Sequence, residues 1–183
     1  MCSSDLNRHN SAVRLLRHWF PALLIAAACT PALDWREYRP PEGRFTVLFP
    51  QKPGKSERRL ATPAGEVMMH MYSVRVEETV LGAGFADFAT PPDKAVLGAM
   101  RDALVKNIGG QLAGERAVAT GAYAGIEIIA TGVLGAGERS APAELRARLL
   151  VRERRYVQLV AAGRKGALAE SDVDLFLSSF KPD

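Results

Sequence analysis

Glu66-Val-Met-Met-His-Met-Tyr-Ser-Val-Arg-Val-Glu77 decides the fold. Read with a period of two, Val67, Met69, Met71 and Ser73 share one face, while Met68, His70, Tyr72, Val74 and Val76 share the other. Two largely apolar faces predict a central strand covered on both sides. Thr62-Pro-Ala-Gly65 before it is a turn, so Ser56–Ala61 becomes the other arm of a hairpin. Further upstream, Phe45, Val47 and Phe49 alternate with Arg44, Thr46 and Leu48, a strand buried mainly on one face. Pro50 and Pro53 close it, because proline has no N–H for a ladder.

Downstream, Leu81–Thr90 is spaced by glycine and predicts a short edge strand through Phe85 and Phe88. Thr90 is expected to cap a helix with Pro91, Pro92 and Asp93 in its first turn. Its apolar stripe runs through Val96, Ala99, Met100, Ala103 and Leu104 toward Ile108, and Gly109-Gly110 stops it. Extended segments follow at about 111–120, 125–133, 143–152 and 156–162. A last helix is expected from Ser171, with Asp174 three residues on and Val173, Phe176, Leu177 and Phe180 buried. Mostly consecutive strands and two helices make an α+β class, an antiparallel sheet flanked by helices.

The amino-terminal region reads as an address. Arg14, Arg17 and His18 precede the apolar run 19–28, which ends in small residues before Cys29. Ten residues are about 15 Å of helix, half a hydrocarbon core, so the run fits a signal peptide better than a membrane span. Ile25-Ala-Ala-Ala-Cys29 resembles the lipobox of bacterial lipoproteins. That resemblance implies a diacylglyceryl group on the Cys29 sulfur, cleavage before it and acylation of the new amino terminus. The expected organisation is a signal peptide over 1–28, a lipid-anchored tether over 29–34 and one domain over 35–183. The protein would then face the periplasm from a membrane of the cell envelope. Thr30 in place of an aspartate favours the outer membrane over the inner.

Removing 1–28 takes away Arg8, Arg14 and Arg17 against Asp5, so the net charge of +4 becomes +2. The remaining chain lacks the basicity of a nucleic-acid binder. Cys2 leaves with the leader, so Cys29 has no intramolecular disulfide partner.

Several landmarks recur in a known order: Trp35-Arg-Glu-Tyr38, Gly43-Arg-Phe-Thr-Val-Leu-Phe-Pro50 with Pro53, and the hairpin at Gly65. Gly121-Ala-Tyr-Ala-Gly125 with Glu127, Arg155-Tyr-Val-Gln-Leu-Val160 and Phe176-Leu-Ser-Ser-Phe180 follow. Over about residues 35–181 the chain resembles envelope proteins with a PsbP/Mog-like domain. The resemblance implies an αβα sandwich around an antiparallel sheet, and a role as an accessory binding protein rather than an enzyme. No ligand motif of that family maps onto these residues.

The residues themselves allow little catalysis. Beyond the leader there is one histidine, His70, set between Met69 and Met71, where a packing role explains it better than a catalytic one. One histidine and no free thiol leave no zinc set, and no metal or other cofactor is expected. Asp172 and Asp174 open a helix rather than a calcium loop, Gly82-Ala-Gly84 and Gly135-Ala-Gly137 read as loop glycines, and Ser178-Ser179 as outer-face residues of the last helix. Glu127, between Ile126 and Ile128, is the carboxylate most worth attention; a salt bridge to an arginine on a neighbouring strand accounts for it without catalysis.

Arginines form the other feature. Arg146, Arg148 and Arg152 share one strand face, with Arg154 and Arg155 at the following turn and Leu145, Ala147, Leu149 and Val151 on the core side. They are expected to point outward, beside Glu144 and Glu153, as a solvated face or a docking surface for an acidic envelope protein or anionic lipid heads. Three readings follow. The first is a non-enzymatic binding or accessory module with a filled core and a broad surface patch. The second is a carrier of a small or lipidic ligand in a cleft between sheet and helices. The third, a hydrolase of unfamiliar type, needs a pocket of perturbed carboxylates.

Overall fold

The computed structural model describes residues 33–183 apart from 136, 138 and 139. The leader expected over 1–28, and Cys29 with its tether as far as residue 32, lie outside the described residues. The described chain runs β1 (Arg36–Tyr38), β2 (Phe45–Phe49), β3 (Gly54–Thr62), β4 (Gly65–Val76), β5 (Thr79–Asp87), α1 (Lys94–Asn107), β6 (Gln111–Thr120), β7 (Tyr123–Leu134), β8 (Ala141–Arg152), β9 (Arg155–Arg164), α2 (Glu170–Ser178) and β10 (Lys181–Pro182). It is an α+β fold with entirely antiparallel pairing.

Seven strands form one sheet in the order β3-β4-β5-β9-β8-β7-β6. Two meanders, β3-β4-β5 and β6-β7-β8-β9, are joined where β5 pairs with β9 over Thr79–Asp87. The segment expected as a short edge strand is therefore an interior one, between β4 and β9. Gly82 and Gly84, expected in a loop, lie within it. The alternation of β4 holds: Val67 and Met69 are buried on one face, Tyr72 and Val74 on the other. At the β3–β4 turn Gly65 takes φ +100°, and the Thr62 hydroxyl donates to the Gly65 carbonyl at 2.7 Å.

Beneath one face lie α2 and a small sheet, β1-β2-β10. Phe45, Val47 and Phe49 of β2 point into that layer with Phe176, Leu177 and Phe180, and all are buried. The other face carries α1, whose Val96, Met100 and Val105 are buried against Val67, Met69, Ile128 and Leu145. Both edge strands, β3 and β6, reach α1, so the sheet curls around this helix.

The helix ends differ from expectation. Asp93, not Thr90, caps α1: its carboxylate accepts from the Val96 N–H at 3.0 Å, since Pro91 and Pro92 precede the helix. At the far end the Gly109 and Gly110 N–H groups donate to the Lys106 and Val105 carbonyls, a Schellman closure with Gly109 at φ +54°. Helix α2 starts two residues before Ser171 can cap it, at Ala169, and no side chain caps it. Ser179, expected outside, is buried; its hydroxyl accepts from the Leu48 N–H at 2.9 Å and donates to the Phe176 carbonyl, fastening α2 to β2.

Candidate functional site: a methionine-lined groove under α1

The α1 face of the sheet is not filled along its whole length. A groove of roughly 470 Å³ runs between α1 and the strands β3, β4, β5 and β9. Met69 and Met71 of β4, Gly82 of β5, and Gln158 and Val160 of β9 form its floor, with Met100 and Leu104 of α1 as the opposite wall. Ser56, Glu57 and Arg58 of β3 stand at its rim.

Its shape follows from side chains that β5 lacks. Alternation turns Leu81, Ala83 and Phe85 toward α2 and leaves Gly82 and Gly84 facing α1. A Cβ on Gly82 would meet the Met71 methyl at 3.6 Å and Ser73 Cβ and the Tyr72 carbonyl at 3.8 Å, all ordinary contacts, so the space above it is open to a small side chain. A Cβ on Gly84 would stand 2.3 Å from Met71 Sδ, so the methionine leans across this glycine. Unbranched, polarisable methionine is the side chain best able to fill such a gap and to leave it again.

The polar group in this floor is Gln158, 5% exposed. Its Oε1 accepts from the Tyr156 hydroxyl at 2.9 Å, and its Nε2 donates to Met71 Sδ at 3.4 Å. Burial pushes the Tyr156 phenol pKa upward, which keeps it a donor. A thioether is a weak acceptor, so the amide nitrogen is only partly satisfied.

The expected arginine surface divides in two. Arg146 and Arg148 do not point freely outward, because α2 lies over their end of β8. Arg148 Nε donates to Glu127 Oε2 at 2.7 Å and its Nη1 to the Leu177 carbonyl at 3.0 Å. Arg146 pairs with Asp174 at 2.7 Å, and its Nε is buried without a partner. Arg155 is also built in: it grips Asp87 with two nitrogens at 2.6 and 2.8 Å and donates to the Glu42 and Gly43 carbonyls. Its guanidinium lies 4.9 Å from the centre of the Phe85 ring. The partners are therefore Glu127, Asp174 and Asp87 rather than the expected Glu144 and Glu153. Arg152 and Arg154 are exposed, and with Arg44 they line a separate shallow hollow of about 370 Å³.

Glu127 is 4% exposed and sits between Arg116 of β6 and Arg148 of β8, its direct cross-strand partners. Arg116 Nη2 reaches its other oxygen at 2.7 Å. Burial alone would raise its pKa, but hydrogen bonds from Arg148 and Arg116 outweigh it, and the carboxyl lies below the ordinary range. Asp87, under Arg155, is held down likewise, mainly by its hydrogen bonds to that arginine. Such carboxylates are poor proton donors near neutral pH. His70 lies half-buried, stacked on Phe85 at 4.9 Å with Nδ1 3.2 Å from Glu57 Oε1. Among the described residues no three His, Cys, Asp or Glu side chains converge as a metal set. None of the described helices is long and apolar enough to cross a membrane.

The sequence placed Met71 on a strand face, Gly82 and Gly84 in a loop and Gln158 in an apolar run, and gave none of them a role in a site. The available signals were a glutamine inside the apolar run Tyr156–Val160 and, far from it in the sequence, the glycine pair Gly82 and Gly84. Comparison with family models and with curated proteins finds no match for the chain.

Proposed function

We propose that the protein is a non-enzymatic binding module of the bacterial cell envelope, and that its ligand is a small molecule with an apolar chain held in the groove under α1. One observation carries this reading: the floor of the groove is built on Met69, Met71 and Gly82 beside Gln158 and Val160, and the bare glycine leaves room above the sheet. Concave, mostly apolar and roomy, with few polar groups, it has the character of a ligand site. The envelope location rests on the lipobox at Cys29, which supplies a stable membrane signal when more than one chain is attached. Helices on opposite faces of an antiparallel sheet support the αβα sandwich of PsbP/Mog-like accessory proteins. The downward-shifted carboxylates speak against the hydrolase reading.

Titration with cis-parinaric acid, a fluorescent fatty acid, tests the groove. Saturable binding is expected in the wild type and its loss in Gly82→Leu, which extends a side chain into the space above β5. Absence of binding, or equal binding by that variant, would overturn the reading.

A further inference from the structure

Ser56, Met71, Gly84 and Gln158 stand in register across β3, β4, β5 and β9. All four belong to the face that curls around α1. Because Gly84 has no side chain, Met71 crosses it and brings its sulfur to the Gln158 amide. The arrangement is unusual in what it leaves undone. Gln158 is 5% exposed, its oxygen is committed to Tyr156, and its nitrogen has two hydrogens but only a thioether to receive one. A buried amide donor without a good acceptor is costly, and a carbonyl or carboxylate oxygen would satisfy it better than sulfur does.

We propose that Met71 is a placeholder. Its thioether covers Gly84 and takes the Gln158 N–H; a ligand's carbonyl or carboxylate oxygen displaces it and accepts that hydrogen bond instead. The ligand class is thereby narrowed to acyl compounds, an apolar chain ending in a C=O-bearing head, rather than plain hydrocarbon. No bond is made or broken, and the selectivity comes from one buried donor. This deepens the groove reading and rests on it. Three features fit the exchange. Met71 is only half-buried, so it has somewhere to go. Its neighbours at the rim, Ser56 and Ser73, are small. Its thioether is flexible enough to swing without moving the backbone.

The test uses two uncharged ligands with the same number of carbons, methyl decanoate and undecane, which differ by the ester group. Competition against bound cis-parinaric acid should favour the ester by about tenfold, the worth of one hydrogen bond to a buried donor. In Gln158→Leu that preference should vanish while undecane still competes. Met71→Ala, which removes the placeholder, should bind the ester more tightly than the wild type does. With methionine methyl groups labelled with carbon-13, the ester should shift the Met71 resonance in the wild-type protein, which makes the outcome independent of any variant's folding. Equal affinity for the two ligands with an unmoved Met71 signal would overturn the inference and leave the groove reading standing. If neither ligand competes and parinaric acid does not bind, the groove reading falls and this one with it.

Discussion

Face for face, the seven-stranded sheet buries aromatic rings under α2 and methionine thioethers under α1. On the α2 side Phe45 meets Phe85 at 6.3 Å and Phe180 at 5.3 Å, and Phe49 meets Phe176 at 5.4 Å, an interlocked set of rings with every member buried. On the α1 side the stretch from β3 to β9 has Met69, Met71 and Met100 around bare glycines, and space remains. Rings and branched chains hold one arrangement, whereas methionines adopt many. Both layers are well buried, but only the stretch from β3 to β9 under α1 is lined by side chains that can rearrange.

The contrast is broken most directly at Phe45. Phe45→Ala should cost about 3–5 kcal/mol, because a ring at 0% exposure leaves a cavity that its neighbours cannot close. Urea unfolding measures it, and a loss below about 1 kcal/mol would show that the aromatic side is no more rigid than the other.

Next in size is the ionic cluster beneath α2. Glu127→Ala should cost about 2–4 kcal/mol, since it strands Arg148 under the helix; the open side of Arg116 keeps the figure below that of a fully buried pair. The dependence on pH has a definite sign. The folded carboxyl lies below its ordinary pKa, so its contribution is complete above that value and is lost as pH falls through the folded one. The gap in Tm between wild type and Glu127→Gln should therefore be widest near pH 7 and narrow toward pH 3. A gap that widens on acidification would contradict the assignment. Arg148→Ser should be destabilising as well, against the expectation of an exposed arginine, because the Leu177 carbonyl loses its donor.

Smaller effects belong to the α1 side. Met69→Leu should change stability by less than about 1.5 kcal/mol, as a volume-conserving swap in pliable surroundings. Smallest of all, Arg152→Ser with Arg154→Ser should stay within about 0.5 kcal/mol, since both are exposed and neither is ion-paired among the described residues. Thermal unfolding of Phe45→Ala, Glu127→Ala, Met69→Leu and the double arginine variant, ranked together, checks the order.

Strands β6 to β9 were legible because their extended, largely apolar stretches are punctuated by Gly121, Gly135 and the Glu153-Arg154 pair. Interior β5 was not, because Gly82 and Gly84 look like loop residues when their neighbours β4 and β9 are unseen. The strand β2 was read correctly, but its sheet was invisible: β1 has three residues and β10 two, too few to show a period. Alternation placed Arg146 and Arg148 on the right face and said nothing of α2, which arrives from much later in the chain to cover it. Glu127 between two isoleucines gave the one hint of that ionic cluster. A cleft between sheet and helices was among the expectations, but its lining was not legible, for a simpler reason. It is defined by side chains that are missing, and a pattern search weighs those that are present.

The strand β2 has consequences for the order in which the protein is built. Its two neighbours are β1 and β10, so Phe45 pairs with Pro182, the Arg44 carbonyl receives the Asp183 N–H, and Lys181 reaches Glu37 at 2.8 Å. Every hairpin of the large sheet from β3 to β5 and from β6 to β9 can close as soon as it is synthesised, because its partners are adjacent in the chain. The aromatic layer cannot. Phe45 and Phe49 wait, through synthesis of all the intervening strands, for Phe176 and Phe180. A chain arriving amino terminus first should thus assemble its curled sheet and α1 early and leave the aromatic layer incomplete until α2 and β10 are made. Slow closure of so long a loop is the kinetic cost of joining the ends of the domain on one strand.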